Sequence, residues 1–221
     1  MPTSSTERLR PEGPITSLEA DPRRGSSVRI QVGGVPYCTV PADVAAAEGL
    51  EVGGVIDDAR HDRLSRAADA EAAFRTALRA LEARAYARAD LGRRLVRKGH
   101  PRDAVDRALA RAGDLGLLDD AAFARSYVET RAARGRGPVR ITRDLGAMGV
   151  ERSVADAAVA AHWPDGRDEA EVPVDLVTRR AAQLASLPPA VRRRRLLAFL
   201  ARRGYSGRTV NAVVSRAIAG D

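Results

Sequence analysis

The chain has 221 residues, of which 44 % are hydrophobic and 30 % charged, the balance of a folded globular protein rather than a disordered one. Its single cysteine, Cys38, excludes an internal disulfide and cannot alone build a cysteine zinc site. The net charge of +8 favours a polyanionic partner, either nucleic acid or an acidic protein surface.

The charge is unevenly spread. Residues 1–69 hold 8 Arg and 11 Asp or Glu, whereas residues 70–221 hold 29 Lys or Arg and 18 Asp or Glu, so the basic character belongs to the later part. Lys98 is the one lysine among 37 basic residues. A GC-rich coding sequence would account for the preference for Arg, but not for the surplus of positive charge. Aromatic residues make up only 4 %, so the core must rest on Ala, Leu and Val, which suit closely packed helices. Residues 1–27 carry no continuous apolar stretch resembling a signal peptide. No run approaches the roughly 20 apolar residues that span a membrane. With one cysteine, the expected setting is a reducing cytoplasm.

In chain order, residues 1–26 show no apolar period and read as a disordered tail. Val28, Ile30 and Val32 alternate with polar residues before Gly33-Gly34, and Val35, Tyr37 and Val40 follow, which predicts two short strands around a tight turn. Pro41 to Gly49 predicts a short helix, and Leu50 to Ile56 an extended stretch with a turn at Gly53-Gly54. Residues 27–69 are thus expected to form a small α/β module. From about residue 70 the pattern is helical, through Leu78, Leu81 and Ala85 and then Leu91 and Leu95. Gly113 and Gly116 are expected to break the chain again. Asp119 is placed to cap a helix from Asp120, and Gly135 to Pro138 reads as a turn into another helix.

Aligning the chain on Gly99, Gly149 and Gly204 exposes an internal repeat. Four residues before each glycine stands Leu95, Leu145 or Leu200, and eight before stands Leu91, Ile141 or Leu196. Six after stands Val105, Ala155 or Val210, and nine and ten after stand Ala108-Leu109, Ala158-Val159 or Val213-Val214. Each unit therefore reads as helix, glycine stop, turn and helix, with room for one further helix at about 70–86, 120–134 and 173–187. The predicted fold class is mainly α: three tandem three-helix repeats (70–114, 115–163 and 173–221) in an elongated array, behind the β-containing module. Residues 164–172, polar and turn-rich, read as a linker or hinge.

These motifs resemble the RecX family. Tyr86-Ala-Arg-Ala-Asp-Leu-Gly-Arg-Arg-Leu-Val-Arg-Lys-Gly99 is similar to the family's basic Ser-Arg-x-Glu-Leu…Leu…Lys-Gly segment. Gly116-Leu-Leu-Asp-Asp-Ala-Ala-Phe-Ala-Arg-Ser-Tyr-Val128 is similar to its Leu-Asp-Asp…Phe-Ala…Tyr segment, and Gly137 to Ile141 matches the Gly-Pro-x-Arg-Ile turn. The resemblance covers about residues 28–219. Ala87 stands where the family has Ser, and Asp90 where it has Glu; without a Ser cap, which is worth about 0.5–2 kcal/mol, the helix is expected to start differently. The resemblance implies a regulator that lodges in the helical groove of the RecA–DNA filament. It would suppress ATP hydrolysis, strand exchange and co-protease activity, acting in DNA repair, recombination and the SOS response.

The residues themselves point to a basic, repeat-built binder. The main candidates for contact with DNA phosphates or acidic filament surface are Arg192, Arg193, Arg194 and Arg195, with Arg202 and Arg203 downstream and Arg179 and Arg180 upstream. Four consecutive arginines wrap most of the way round a helix, so some must sit at the core edge and snorkel. Arg93, Arg94, Arg97 and Lys98 form a second cluster, which also suits a helix C-terminus electrostatically. Asp119-Asp120 fits helix capping better than paired catalytic carboxylates. His61, His100 and His162 lack metal-ligand spacing, Ser126 lies in no nucleophile motif, and the Gly-Gly pairs lack the helix and lysine of a phosphate loop. Phe123, Tyr127, Trp163, Phe199 and Tyr205 read mostly as core candidates. No catalytic, metal or cofactor site is expected. The expected partners are the RecA filament and single- or double-stranded DNA in its groove, with the chain itself monomeric. The alternative is a direct DNA binder, architectural or transcriptional, that uses basic helix-turn-helix pairs.

Overall fold

The computed structural model describes residues 9–21, 24–166 and 171–219. The chain divides between Leu118 and Asp119 into two compact units. In the first, strands β1 (Ile15–Asp21), β2 (Arg24–Val32) and β3 (Val35–Pro41) form an antiparallel sheet in that order. Helices α1 (Ala42–Ala47), α2 (Asp58–Ala83), α3 (Arg88–Arg97) and α4 (Arg102–Asp114) follow. The second unit holds α5 (Asp120–Ala132), α6 (Pro138–Met148), α7 (Arg152–His162), α8 (Val174–Ala182), α9 (Pro189–Arg203) and α10 (Arg208–Ala219). The fold is mainly α, with three three-helix repeats behind a small β-containing module, as the sequence pattern predicts.

The N-terminal reading needs correction. Residues 15–21 are not tail but strand β1, paired with β2 from Ile15↔Val32 to Asp21↔Arg24. Ile15 is fully buried beside Ile30, Val32 and Val40. The strand has one strongly apolar inward residue, and register shifts after Ile15 and Ala20 break the period-two pattern that would have revealed it. Residues 1–8 and 22–23 of the expected tail lie outside the described residues. The turn at Gly33-Gly34 forms as expected, both glycines having positive φ.

Helix α2 also begins earlier than its apolar period suggests. Asp57 accepts the Arg60 amide at 2.7 Å and caps a helix of 26 residues. This one helix serves both the module and the first repeat, through Leu64 and Ala68 at one end and Ala73, Phe74 and Ala77 at the other. At its middle, Glu71 is buried. It accepts the Ser27 hydroxyl at 2.8 Å from β2 and the Arg111 guanidinium at 2.8 Å from α4. A buried carboxylate is tolerated because its oxygens are engaged by donors, one of them charged.

Gly113 is not a break but lies inside α4; Gly116, with φ 68°, ends the segment. A Cβ at Gly113 would stand 2.7 Å from the Arg88 guanidinium, which donates to the Leu109 carbonyl. The glycine makes room for that arginine. Helix α3 starts at Arg88 directly after Ala87, with no side-chain cap. Asp119 does cap α5, accepting the amides of Ala121 and Ala122 at 2.9 Å each.

The three glycine stops are built alike. Gly99, Gly149 and Gly204 have φ of 89°, 85° and 91°, a conformation glycine adopts without a Cβ penalty. The next residue folds back each time, so that His100, Val150 and Tyr205 donate to the carbonyls of Leu95, Leu145 and Leu200 at 3.1–3.2 Å. This is a Schellman closure, and it buries all three following side chains. The paired positions Leu91/Leu95, Ile141/Leu145 and Leu196/Leu200 are completely buried, as four-residue spacing on one helical face requires.

Within the second unit, the second and third repeats join backbone to backbone. The free amides of Gly137 and Val139, at the start of α6, donate to the carbonyls of Arg203 (2.8 Å) and Gly204 (3.2 Å), at the end of α9. The amides at one helix start meet the carbonyls at another helix end, and each satisfies groups the other leaves open. Val172, placed in the expected linker, instead belongs to the third repeat's core with Val177, Leu196 and Tyr205. A lone apolar residue after an acidic run gives no periodic signal. Residues 167–170 of that stretch lie outside the described residues.

Candidate binding surface

Helix α9 carries the densest charge. It starts from Pro188 and Pro189, whose fixed backbone suits a first turn, and ends at left-handed Gly204. Arg192 is four residues before Leu196 and eight before Leu200, so it falls on their inward face and is buried. Its guanidinium donates to the Ile218 carbonyl at 3.1 Å, near the end of α10, where a cation complements the open carbonyls. The sequence places some of the four arginines at the core edge with their heads reaching solvent; Arg192 instead lies inside, its head on a backbone carbonyl. As an external contact residue Arg192 is withdrawn.

Its neighbours diverge. Arg193 is exposed and lies toward α10, within reach of Ser215 Oγ (3.0 Å) and Asn211 Oδ1 (3.4 Å). Arg203 is half-buried, donating to the Arg134 and Gly135 carbonyls at 3.3–3.4 Å. Arg180 and Arg203 both approach the Phe199 ring, at 5.6 and 4.8 Å from its centroid. Arg194, Arg195 and Arg202 are exposed and form no ion pair with any described residue, and the same holds for Arg179. Arg195 and Arg202, seven residues apart, share one helix face about 10.5 Å apart along the axis. Arg194 points about 100° away from them. The structure therefore brings Arg180 and Arg203 to the Phe199 ring, leaves Arg195 and Arg202 on one exposed face of α9, and sends Arg193 to the α10 side.

Arg208, which sequence reasoning passed over, is exposed on the same face of α10 as Asn211 and Ser215. Its three- and seven-residue spacing from those polar residues was the available signal.

The first unit holds the second basic cluster. Arg93 and Arg97, one helical turn apart, line with Arg102 a groove of about 500 Å³ between α3 and α4, floored by Gly92, Val96, Val105 and Leu109. A Cβ at Gly92 would press on Leu109 at 3.1 Å, so the glycine permits the close helix approach. Arg102 is a lining residue that the sequence clusters omitted because it sits beyond the glycine stop, on the next helix. Arg93 is partly engaged by Asp90 at 3.3 Å. Arg94 is half-buried, 5.8 Å from the centre of the Tyr86 ring, and turns from the groove. Arg97 and Lys98 are exposed and unpaired among the described residues.

The histidines are structural where they are bonded. His61 Nδ1 lies 2.8 Å from the Tyr37 hydroxyl, and buried His100 Nε2 lies 3.0 Å from Thr76 Oγ1. Burial pushes the His100 pKa below the ordinary imidazole value, against the opposing charge of Asp69 and assisted by Lys98 and Arg79. No group of three or more His, Cys, Asp or Glu able to hold a metal occurs among the described residues. No described helix is long and apolar enough to cross a membrane.

The repeats match family models in order. Residues 73–111 match the first, 119–159 the second and 168–214 the third three-helix domain of RecX. The chain is 34 % identical over 171 residues to the regulatory protein RecX of Streptomyces coelicolor, an alignment covering 76 % of this chain and 89 % of that protein.

The chain belongs to the RecX family.

Other RecX relatives agree. The Xanthomonas axonopodis pv. citri protein is 36 % identical over 138 residues, covering 62 % of this chain and 82 % of its own length. The Mycobacterium ulcerans protein is 38 % identical over 148 residues, covering 65 % and 83 %. A crystal structure of a regulatory protein RecX superposes with a TM-score of 0.71 at 23 % identity, covering 92 % of this chain and 99 % of that one. RecX from Lactobacillus salivarius gives 0.57 at 20 % identity, covering 67 % and 96 %. At those identities the likeness concerns the fold. The RecX relatives are named regulatory proteins.

Proposed function

We propose that this RecX-family chain binds the RecA recombinase filament as a monomer in the cytoplasm and inhibits its ATP hydrolysis, strand exchange and co-protease activity, so modulating DNA repair, recombination and the SOS response. Family membership supports the choice of partner. The observation that carries the binding mode is the set of exposed arginines without ion-pair partners, Arg179, Arg194, Arg195 and Arg202. In a helical groove lined by DNA phosphate and filament carboxylates such side chains find the anions they lack within the chain. Arg93, Arg97 and Arg102 offer a second contact through the α3–α4 groove.

The test is RecA's DNA-dependent ATPase and strand exchange with and without the protein. Inhibition is expected at well below one protein per RecA monomer, because a groove-bound chain touches more than one subunit. Absence of inhibition at that ratio refutes the proposal.

A second reading, direct DNA binding by basic helix pairs, draws on the same arginines. It requires tight DNA binding without RecA that weakens steeply with salt. Weak affinity for bare DNA together with strong filament binding decides against it.

A further inference from the structure

The second unit also has a cleft of opposite character. About 530 Å³ in volume, it is lined by Glu129 of α5, His162 at the end of α7, Trp163, Asp165, Glu171 and Tyr205, among others. Three carboxylates, one from α5 and two from the segment between α7 and α8, thus line one space. None of the three forms an ion pair with any described residue.

Two further observations give this cleft a direction. Tyr205 is only 4 % exposed, yet it lines the cleft, and its hydroxyl has no hydrogen-bond partner among the described residues. Its oxygen is not sealed from solvent, and a donor that enters the open space of the cleft can reach it. Burial raises the phenol's pKa, so it remains a neutral hydroxyl that can accept a hydrogen bond. Arg203, whose charge reaches Tyr205, is held by the carbonyls of Arg134 and Gly135. Helices α5 and α7 also end at the cleft, at Ala132 and His162, and two helix C-termini add partial negative charge there.

We propose that the cleft between α5, α7 and the start of the third repeat is a receptor for an arginine side chain of a partner protein, held by Glu129, Asp165 and Glu171, with the Tyr205 hydroxyl accepting at its floor. A guanidinium fits better than an ammonium. It presents five donors in a flat fork to several acceptors and lays a face on an aromatic ring. Trp163, packed edge-on to His162 with ring centres 4.5 Å apart, supplies that ring. The proposal stands apart from the RecA reading, since it concerns the chemistry of one side chain and not the identity of its owner.

Trp163 is the chain's single tryptophan, so its indole N–H gives one unambiguous NMR signal. The full chain is titrated with acetyl-Gly-Arg-Gly-amide, and with the lysine and citrulline counterparts. The arginine peptide is expected to shift the signal saturably, and the uncharged citrulline peptide to leave it in place. Glu129 and Glu171 are exposed, so E129Q/E171Q keeps the fold while weakening binding about tenfold. Y205F, which retains the packed ring, weakens it about threefold. No saturable shift with arginine peptide up to about 50 mM, well above a millimolar dissociation constant, overturns the proposal. So does a shift that E129Q/E171Q leaves unchanged. Equal affinity for the lysine peptide overturns the assignment to guanidinium. Thermal melts of both variants show whether the fold is intact, and the surface double variant decides if Y205F is loosened.

Discussion

The backbone of Gly204 lies so close to Arg140 that a Cβ there would collide with the Arg140 amide nitrogen. The same glycine ends α9 in the left-handed region at φ 91° and accepts the Val139 amide at 3.2 Å. One residue therefore stops a helix, turns Tyr205 into the core and lets the third repeat dock on the second.

That double duty sets the cost of changing it. Gly204→Ala should destabilise the protein by more than about 2 kcal/mol, the left-handed backbone accounting for about 1–2 and the collision for the rest. Gly116→Ala is the comparison, because Gly116 also has positive φ but a Cβ there meets nothing within 4 Å; it should cost only the backbone part. Urea melts of both variants measure the difference. Equal losses would show that the close approach to Arg140 has no energetic weight.

The arginines of α9 should separate into two classes. R195E/R202E changes exposed side chains on one face and should leave the melting temperature unchanged while reducing inhibition of the RecA ATPase at least about tenfold. Arg192→Ala should do the reverse, lowering stability by about 1–3 kcal/mol through loss of a buried hydrogen bond and packed stem. Thermal melts beside ATPase titrations test both. Full inhibition by R195E/R202E would move the contact surface to the groove of Arg93, Arg97 and Arg102.

Asp119 closes the first turn of α5 by accepting the amides of Ala121 and Ala122. Asp119→Ala should lower stability by about 0.5–2 kcal/mol, and Asp119→Asn should retain most of it, since the amide oxygen can still accept from Ala121 and Ala122. Chemical denaturation distinguishes the two. If both variants lost stability equally, charge rather than hydrogen bonding would be the source.

His100 gives the first unit a pH dependence. Its folded pKa lies below the ordinary value of 6.5, so as pH falls below 6.5 the unfolded chain takes up a proton that the folded chain resists. Stability attributable to this residue is complete above pH 6.5 and declines as pH falls toward the folded pKa. Melting temperatures measured from pH 7.5 to 5 should fall, and His100→Asn should flatten that slope. An unchanged slope in the variant would assign the dependence to other groups.

The repeat architecture was legible because it is local. Leu91 and Leu95, Ile141 and Leu145, and Leu196 and Leu200 are spaced by helical geometry, and Gly99, Gly149 and Gly204 are helix stops whatever surrounds them. Asp119 was readable for the same reason, since a cap acts on amides two and three residues away. Strand β1 was not, because its identity depends on pairing with β2 across a bulged register and not on its own pattern. The early start of α2 was hidden by an Ala-rich stretch whose buried positions include Ser65, Asp69 and Glu71, polar residues that obscure any apolar period.

By itself the sequence determined the helix-stop-helix units, their number and order, the basic character of the third repeat and the resemblance to RecX. These depend on side-chain spacing along one chain. Only the tertiary structure decided which arginines are available. Arg192 is taken by the Ile218 carbonyl and Arg203 by those of Arg134 and Gly135, whereas Arg195 and Arg202 stay exposed. It also decided that Glu129, Asp165 and Glu171 face one cleft with Tyr205. Such choices rest on which donors and acceptors the packing of distant segments brings within a few ångströms, and no periodicity along the chain encodes that.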